Sequence, residues 1–151
     1  MGREIDLDAD YLRSILDYNS ESGIFKWKHR ADRKKCWNSR LAGKETGCKA
    51  DGAVLLRIDD RLYKAHRVAW AIHYGSPSAE LDHIDGNPHN NKINNLRVAT
   101  RSQNQCNRGI QCNNTSGYKG VSYSKLHRKW HAYIKMHGKR KHIGLFNNKE
   151  D

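Results

Sequence analysis

The stretch KWHAYIKM, residues 129–136, alternates apolar and polar side chains without a break. A two-residue period sends successive side chains to opposite faces of a strand, whereas a helix would scatter the same residues around its surface. Trp130, Ala132, Ile134 and Met136 therefore share one face, and His131, Tyr133, Lys135 and His137 the other. His137-Gly138 offers a turn, KRKHIGLF a partner strand, and GVSYSK a third strand ahead of both. The expectation is a small antiparallel sheet with one apolar face and one basic, hydrogen-bonding face, a shape that suits a DNA groove.

The remainder favours small modules over one large core. Only 36% of the 151 residues are hydrophobic, and they fall in short patches, which favours one domain or two small modules joined by polar linkers. Asp8 can cap a helix with Leu12, Ile15 and Leu16 on its apolar face, ending before Gly23. GIFKWK follows as a short strand with Phe25 and Trp27 on one face and Lys26 and Lys28 on the other. From His29 to Gly47 the chain is basic and nearly patternless and reads as a loop, its charge serving either a solvated surface or contact with a DNA backbone. AVLLRIDDRLYKAHR looks like a hairpin turning at Asp59-Asp60. AHRVAWAIHYG reads as a helix with Val68 and Ile72 inward, stopped by Gly75 and Pro77, and with His66 and His73 as packing or surface residues. CNNTSG has linker composition. The expected division is an N-terminal helix, strand and basic linker over 1–50, a domain over 51–109, a linker over 110–116, and the sheet over 117–151.

A formal net charge of +12 attracts polyanions, of which nucleic acid is the commonest. No apolar run approaches a membrane span, and the opening MGREIDLDAD is acidic rather than signal-like, so an intracellular location is expected. Cys36, Cys48, Cys106 and Cys112 form no CxxC pair. They are expected to be ordinary thiols, with a shared structural zinc as the alternative.

The stretch LDHIDGNPHNNKINNLRVATRSQN, Leu81 to Asn104, crowds an Asp-His pair and six asparagines into 24 residues. Hydrolysis of a phosphodiester needs a metal to stabilise charge on the phosphate, a base to activate water, and a group to orient that base. Asp82 offers a hard oxygen, His83 a base that titrates near neutrality, and Asn104 an amide oxygen as second hard ligand, while Asn95 could hold the imidazole in one tautomer. Asn87, Asn90, Asn91 and Asn94 suit turns, and Asp85 suits a turn or hydrogen-bonding role better than a ligand role.

His83, Asn95 and Asn104, with Asp82 before the first, resemble the HNH nuclease motif in its H-N-N form. The surrounding HRVAWAIHYG, LDHIDGN, NNL and ATRSQN look like phage and intron-encoded HNH homing endonucleases. The resemblance covers Leu62 to Asn107 closely and YLRSILDYNSESGIFKWK loosely. It implies an α+β fold with a ββα-metal core: a strand carrying Asp82 and His83, a loop to a second strand at LRVAT, then a helix containing Asn104. It also implies that Asp82 and Asn104 bind one divalent ion, that His83 is the general base, and that Asn95 positions His83. Asn104 stands where many members have a final His, and an all-oxygen ligand set favours Mg²⁺ or Mn²⁺. Neighbours on an ideal strand point oppositely, so Asp82 and His83 share a centre only if the strand bends or ends there. The partner implied is double-stranded DNA rather than a small molecule or membrane, nicked by a monomer, in the cytoplasm of a bacterial host that carries a phage or intron gene.

SGYKGVSYSKLHRKWHAYIKMHGKRKHIGLF resembles the AP2 DNA-binding domain, three strands laid in the major groove and backed by a helix. Tyr118, Gly120, Val121, Trp130, Ala132, Ile134, Gly144 and Phe146 carry the match. The DNA-facing positions it implies are Lys119, Ser122, Ser124, Tyr133, Lys135, Arg140 and His142; two that are often Arg in plant members are Ser here. The backing helix would begin near KED, so the apolar face is expected to meet that helix or a substitute. The rival readings are a non-catalytic DNA-binding regulator on a decayed nuclease fold and a zinc-stabilised structural module.

Overall fold

Asp8 begins the first helix by accepting hydrogen bonds at Oδ1 from the amides of Asp10 (3.0 Å) and Tyr11 (3.4 Å). The structure, a computed structural model, describes residues 8–50, 52–75, 80–136 and 139–151. Helix α1 spans Ala9–Ile15 and stops well before Gly23. Leu16–Asn19 is instead strand β1, paired antiparallel with β2, Ile24–Trp27, in the register Leu16↔Trp27. The longer helix expected from Leu12, Ile15 and Leu16 is thus corrected: all three are buried, but Leu16 reaches the core from a strand.

The basic stretch after His29 is not all loop. Helix α2, Lys35–Leu41, and the short β3, Glu45–Thr46, form within it. No side chain caps α2 at Lys34. It is held instead by the buried Asn38, whose amide donates to the Arg30 carbonyl (2.8 Å) and accepts from the Arg30 amide (2.9 Å). Arg30 is itself buried, and its guanidinium is satisfied by Asp32 (2.7 Å) and Asp59 (3.1 Å), as a buried charge requires.

Strand β4, Cys48–Ala50, leads into the hairpin of β5, Ala53–Ile58, and β6, Arg61–Lys64. Asp59 and Asp60 form its two-residue turn with φ of 45° and 62°, the pair of positive values that a tight hairpin needs. Helix α3, Ala65–Tyr74, ends at Gly75, which adopts φ 79° and donates its amide to the Ala71 carbonyl. Pro77, the other expected stop, lies outside the described residues. Val68 is fully buried, and Ile72 packs at the edge of the core.

Strand β7, Leu81–His83, pairs antiparallel with β8, Leu96–Val98, and helix α4, Arg101–Asn107, follows. Thr100 and Gln103 start α4 reciprocally. The Gln103 amide donates to Thr100 Oγ1 (3.3 Å) and the Thr100 amide donates to Gln103 Oε1 (2.8 Å). One apolar cluster gathers Leu12, Ile15, Leu16, Phe25 and Trp27 with Leu56, Ile58, Val68 and Leu96. Each fully buried Leu or Val contributes roughly 1.5–3 kcal/mol. The segment before residue 50 therefore shares its core with the strands and helices that follow, and the chain divides into the compact units Met1–Asn107 and Arg108–Asp151.

The second unit is a three-stranded antiparallel sheet in the order β11-β10-β9, with β9 at Val121–Ser124, β10 at Lys129–Met136 and β11 at Lys139–Phe146. Residues 110–116 are not merely a linker, because Ser116 is buried in this unit with Oγ 2.8 Å from the Val121 carbonyl oxygen. The expected turn at His137-Gly138 lies outside the described residues. The register shifts between Ala132 and Tyr133: Ala132 faces Gly144 while Tyr133 faces His142, leaving Ile143 as the extra residue of a bulge. Ser122, His131, Tyr133, Lys135, Arg140 and His142 consequently share one face, and Trp130, Ala132, Gly144 and Phe146 the other. Ile134 and Met136 are 47% and 50% exposed, so the burial expected for this apolar face is not found within the unit.

Mixed helices and small antiparallel sheets make this an α+β chain. Among the described residues no helix is long and apolar enough to cross a membrane.

Candidate active site

Asp82 and His83 sit at the end of β7, and the chain turns away at once, with Gly86 at φ 71° and its amide donating to the His83 carbonyl (2.9 Å). The two neighbours are held by different partners. Asp82 faces Arg97, directly across the hairpin, and Asn107 at the end of α4. The His83 ring meets His66 of α3 edge-on, with centroids 5.0 Å apart and planes at 85°, and has Asn91 Oδ1 at 3.4 Å from Nε2.

The Asn91 amide is oriented by a second bond. Its Nδ2 donates to the His89 carbonyl (3.3 Å), which turns Oδ1 toward the imidazole. An amide oxygen only accepts, so Nε2 carries the proton and Nδ1 keeps the lone pair. His83 titrates below the ordinary histidine value. Burial is the main cause, and the Asn91 bond and the charges of Asp85 and Asp82 offset it in part. A neutral imidazole with a free Nδ1 can accept a proton from water.

The side-chain bonds of Asn95 run to the loop beside His83. Its Nδ2 donates to Asp85 Oδ1 (3.0 Å) and to the Asn90 carbonyl (2.9 Å), and its Oδ1 accepts from the Asp85 amide (3.1 Å). Asp85 also accepts from the Asn87 amide (2.8 Å) and from Asn90 Nδ2 (2.7 Å). Desolvation raises the Asp85 carboxyl, but these hydrogen bonds outweigh it and leave the group below the usual aspartate range. Asn87, Asn90 and Asn95 therefore bond around Asp85, and Asn91 is the amide aimed at the His83 ring.

The first hairpin braces this loop. Tyr18 donates its hydroxyl to the Asn91 carbonyl (2.7 Å), and the Ile93 amide donates to the Ser20 carbonyl (3.0 Å). Gly23, at φ 74°, approaches so closely that a Cβ would lie 2.7 Å from the Asn91 carbonyl carbon and the Lys92 nitrogen.

Asn104 donates Nδ2 to the Leu81 carbonyl (3.4 Å), beside Asp82, which leaves Oδ1 available for another partner. Three residues on, and so on the same side of α4, Asn107 Nδ2 donates to both Asp82 oxygens (3.2 and 3.1 Å) and to the His83 carbonyl (2.6 Å). Among the described residues no group of three or more His, Cys, Asp or Glu side chains could hold a metal. The donors at hand are hard oxygens, one carboxylate and one amide, which fit Mg²⁺ or Mn²⁺, ions that complete their shells with water and phosphate. Cys36, Cys48, Cys106 and Cys112 are exposed, and none is in a disulfide among the described residues.

Sequence reasoning did not single out Arg97 or Asn107, gave Asn91 only a turn role, and read His66 as a packing or surface residue. Only Asn107 had a local signal, its helical spacing from Asn104. Arg97 depends on the strand register. His66 acquires its environment from the fold: its Nδ1 is buried without a hydrogen-bond partner, and burial, then the neighbouring His83, Lys64 and Arg67, lower its pKa to about 3.

On the second unit, Ser122, Tyr133, Lys135, Arg140 and His142 lie on the common face described above, and Ser124, opposite Lys129, joins them. The Arg140 guanidinium lies 4.2 Å from the Tyr133 ring centroid. Lys119 lies in the turn that leads into β9.

Residues 63–106 match the family model described as HNH endonuclease. Protein 3.8 of Escherichia phage T7 is 43% identical over 60 residues, which are 40% of this chain and 50% of that protein. The chain thus spans about half the length of the curated relative it matches. No solved structure matches. The family match supports an HNH nuclease domain that contains α3, β7, β8 and most of α4.

Proposed function

We propose that the chain is a metal-dependent DNA endonuclease whose centre is formed by Asp82, His83 and Asn104 on a ββα-metal core. The observation that carries the reading is the placement of these three on the β7–β8 hairpin and α4, inside the segment that matches the HNH family model. His83 Nδ1 takes a proton from water as the water oxygen attacks phosphorus, and the bond from phosphorus to the leaving oxygen breaks. Asn91 keeps the imidazole in the required tautomer, and Asn95 acts on it only through the loop built around Asp85. Asp82 and Asn104 would hold one Mg²⁺ or Mn²⁺, which supplies positive charge to the phosphate and the leaving oxygen.

The sheet of the second unit provides the address. In this reading Lys119, Ser122, Ser124, Tyr133, Lys135, Arg140 and His142 meet double-stranded DNA in the manner of an AP2 domain, and the protein is a monomeric nicking enzyme of homing type in the cytoplasm of a bacterial host. Phosphate contacts by the cations supply affinity, and contacts from Ser, Tyr and His side chains to base edges supply preference. Nicking of supercoiled plasmid with Mg²⁺ or Mn²⁺, and its loss in EDTA, tests the reading. Duplex binding with no nicking in either ion would favour a DNA-binding regulator instead.

A further inference from the structure

Asp82 already has a cation. Its carboxylate is 11% exposed and lies opposite the half-exposed Arg97, whose Nη2 and Nε are 2.8 and 3.3 Å from Oδ2. Asn107 donates to both carboxylate oxygens and to the His83 carbonyl, and so fixes the carboxylate independently of Arg97. Of the two donors, Asn107 is anchored by its bond to the His83 carbonyl, whereas Arg97 is a long, half-exposed side chain on a short hairpin.

We infer that Arg97 is a placeholder for the metal on Asp82 and, once displaced, a phosphate-binding residue of the same site. The inference rests on the reading of Asp82 as a metal ligand. A divalent ion on Asp82 would repel the guanidinium held on Oδ2 of the same carboxylate, so the two cations compete for it. A displaced guanidinium stays beside the centre because its backbone is the cross-strand neighbour of Asp82. Its planar fork matches two phosphate oxygens. DNA therefore draws Arg97 off Asp82 and opens the site to metal, and metal releases Arg97 to DNA. By linkage the coupling is reciprocal. The free protein holds its metal weakly, and the DNA-bound protein holds it tightly.

Mn²⁺ titrated calorimetrically into the full chain tests the exchange. Arg97→Met keeps the apolar stem and removes the charge, and Arg97→Lys keeps a charge without the fork; circular dichroism checks that each is folded. The expected result without DNA is Mn²⁺ affinity at least about tenfold higher for Arg97→Met than for wild type, with Arg97→Lys between them. On a His83→Ala background, which keeps the duplex intact, a short duplex should raise Mn²⁺ affinity strongly when Arg97 is retained and much less when Arg97→Met is added. The slope of log K for DNA against log salt should also flatten by ~0.9 for Arg97→Met, one phosphate contact. Asp82→Asn separates the two levels of the account. If it abolishes Mn²⁺ binding while the folded Arg97 variants bind no more tightly than wild type, the exchange is overturned and the metal site stands. If Asp82→Asn binds Mn²⁺ as wild type does, the metal site is wrong and the exchange falls with it.

Discussion

The side-chain oxygen of Asn91 stands 3.4 Å from Nε2 of His83, on an amide whose nitrogen is already committed to the His89 carbonyl. This bond decides which imidazole nitrogen is basic. Asn91→Ala should lower the nicking rate roughly 10–100-fold with little change in DNA affinity, the range typical of groups that orient an active-site imidazole. Asn91→Asp, which retains an acceptor at Nε2, should recover most of the loss. Equal rates for Asn91→Ala and wild type would place the tautomer control elsewhere.

Gly23 bears on the same bond from the other side of the unit. An alanine there would have to hold φ near 74° and place its Cβ 2.7 Å from the backbone at Asn91 and Lys92. Backbone strain alone costs roughly 1–3 kcal/mol, and relief of the clash displaces the loop that carries Asn91. Gly23→Ala should lower the urea midpoint and the nicking rate together. A variant with wild-type stability would mean that the loop tolerates the shift.

His66 makes stability depend on pH. Its folded-state pKa is about 3, against an ordinary 6.5. Between those values the unfolded chain binds a proton that the folded protein refuses, so stability is complete above pH 6.5 and is lost as pH falls toward 3. The slope is roughly 1.4 kcal/mol per pH unit in the middle of that window. His83, also lowered, adds the same sign. His66→Phe should remain folded and lose its own part of the slope, measured as urea midpoints at pH 7.5 and 5. An unchanged pH dependence would show that His66 is protonated or solvated in the folded protein.

The sheet of the second unit predicts a separation of affinity from stability. Replacing Lys119, Lys135 and Arg140 by Ala should reduce the slope of log K against log salt by ~2–3 if all three touch phosphate. Ile134→Ala should leave that slope unchanged, and at 47% exposure it should cost less than the ~2–5 kcal/mol of a buried isoleucine. A slope change from Ile134 would mean that the apolar face meets the DNA.

Elements announced by local chemistry were legible in the sequence. The alternation over 129–136, the Asp59-Asp60 turn and the Gly75 stop each depend on residues close in the chain. What was hidden depends on distant partners. Leu16 fits the apolar stripe of a helix as well as a strand, and only pairing with Trp27 decides between them. Helix α2 has neither cap nor periodicity and relies on Asn38 reaching back to Arg30. The bulge at Ile143 brings Gly144 and Phe146 onto the face of Ala132 and Trp130, which strict alternation from His142 would forbid. In the site, Asp82, His83 and Asn104 stood out by type and spacing. The asparagines look alike in one dimension, so which of them bonds the His83 ring and which bonds Asp85 required coordinates.

The central claim is that His83 is the base of a DNA-cutting centre rather than a buried part of a binding fold. Nicking of supercoiled plasmid in Mg²⁺ by wild type and His83→Ala, with gel-shift affinity measured on the same preparations, tests it most directly. The account predicts a rate loss of ~10²–10⁴ with nearly unchanged affinity. Nicking by His83→Ala within about tenfold of wild type, at equal affinity, would contradict it.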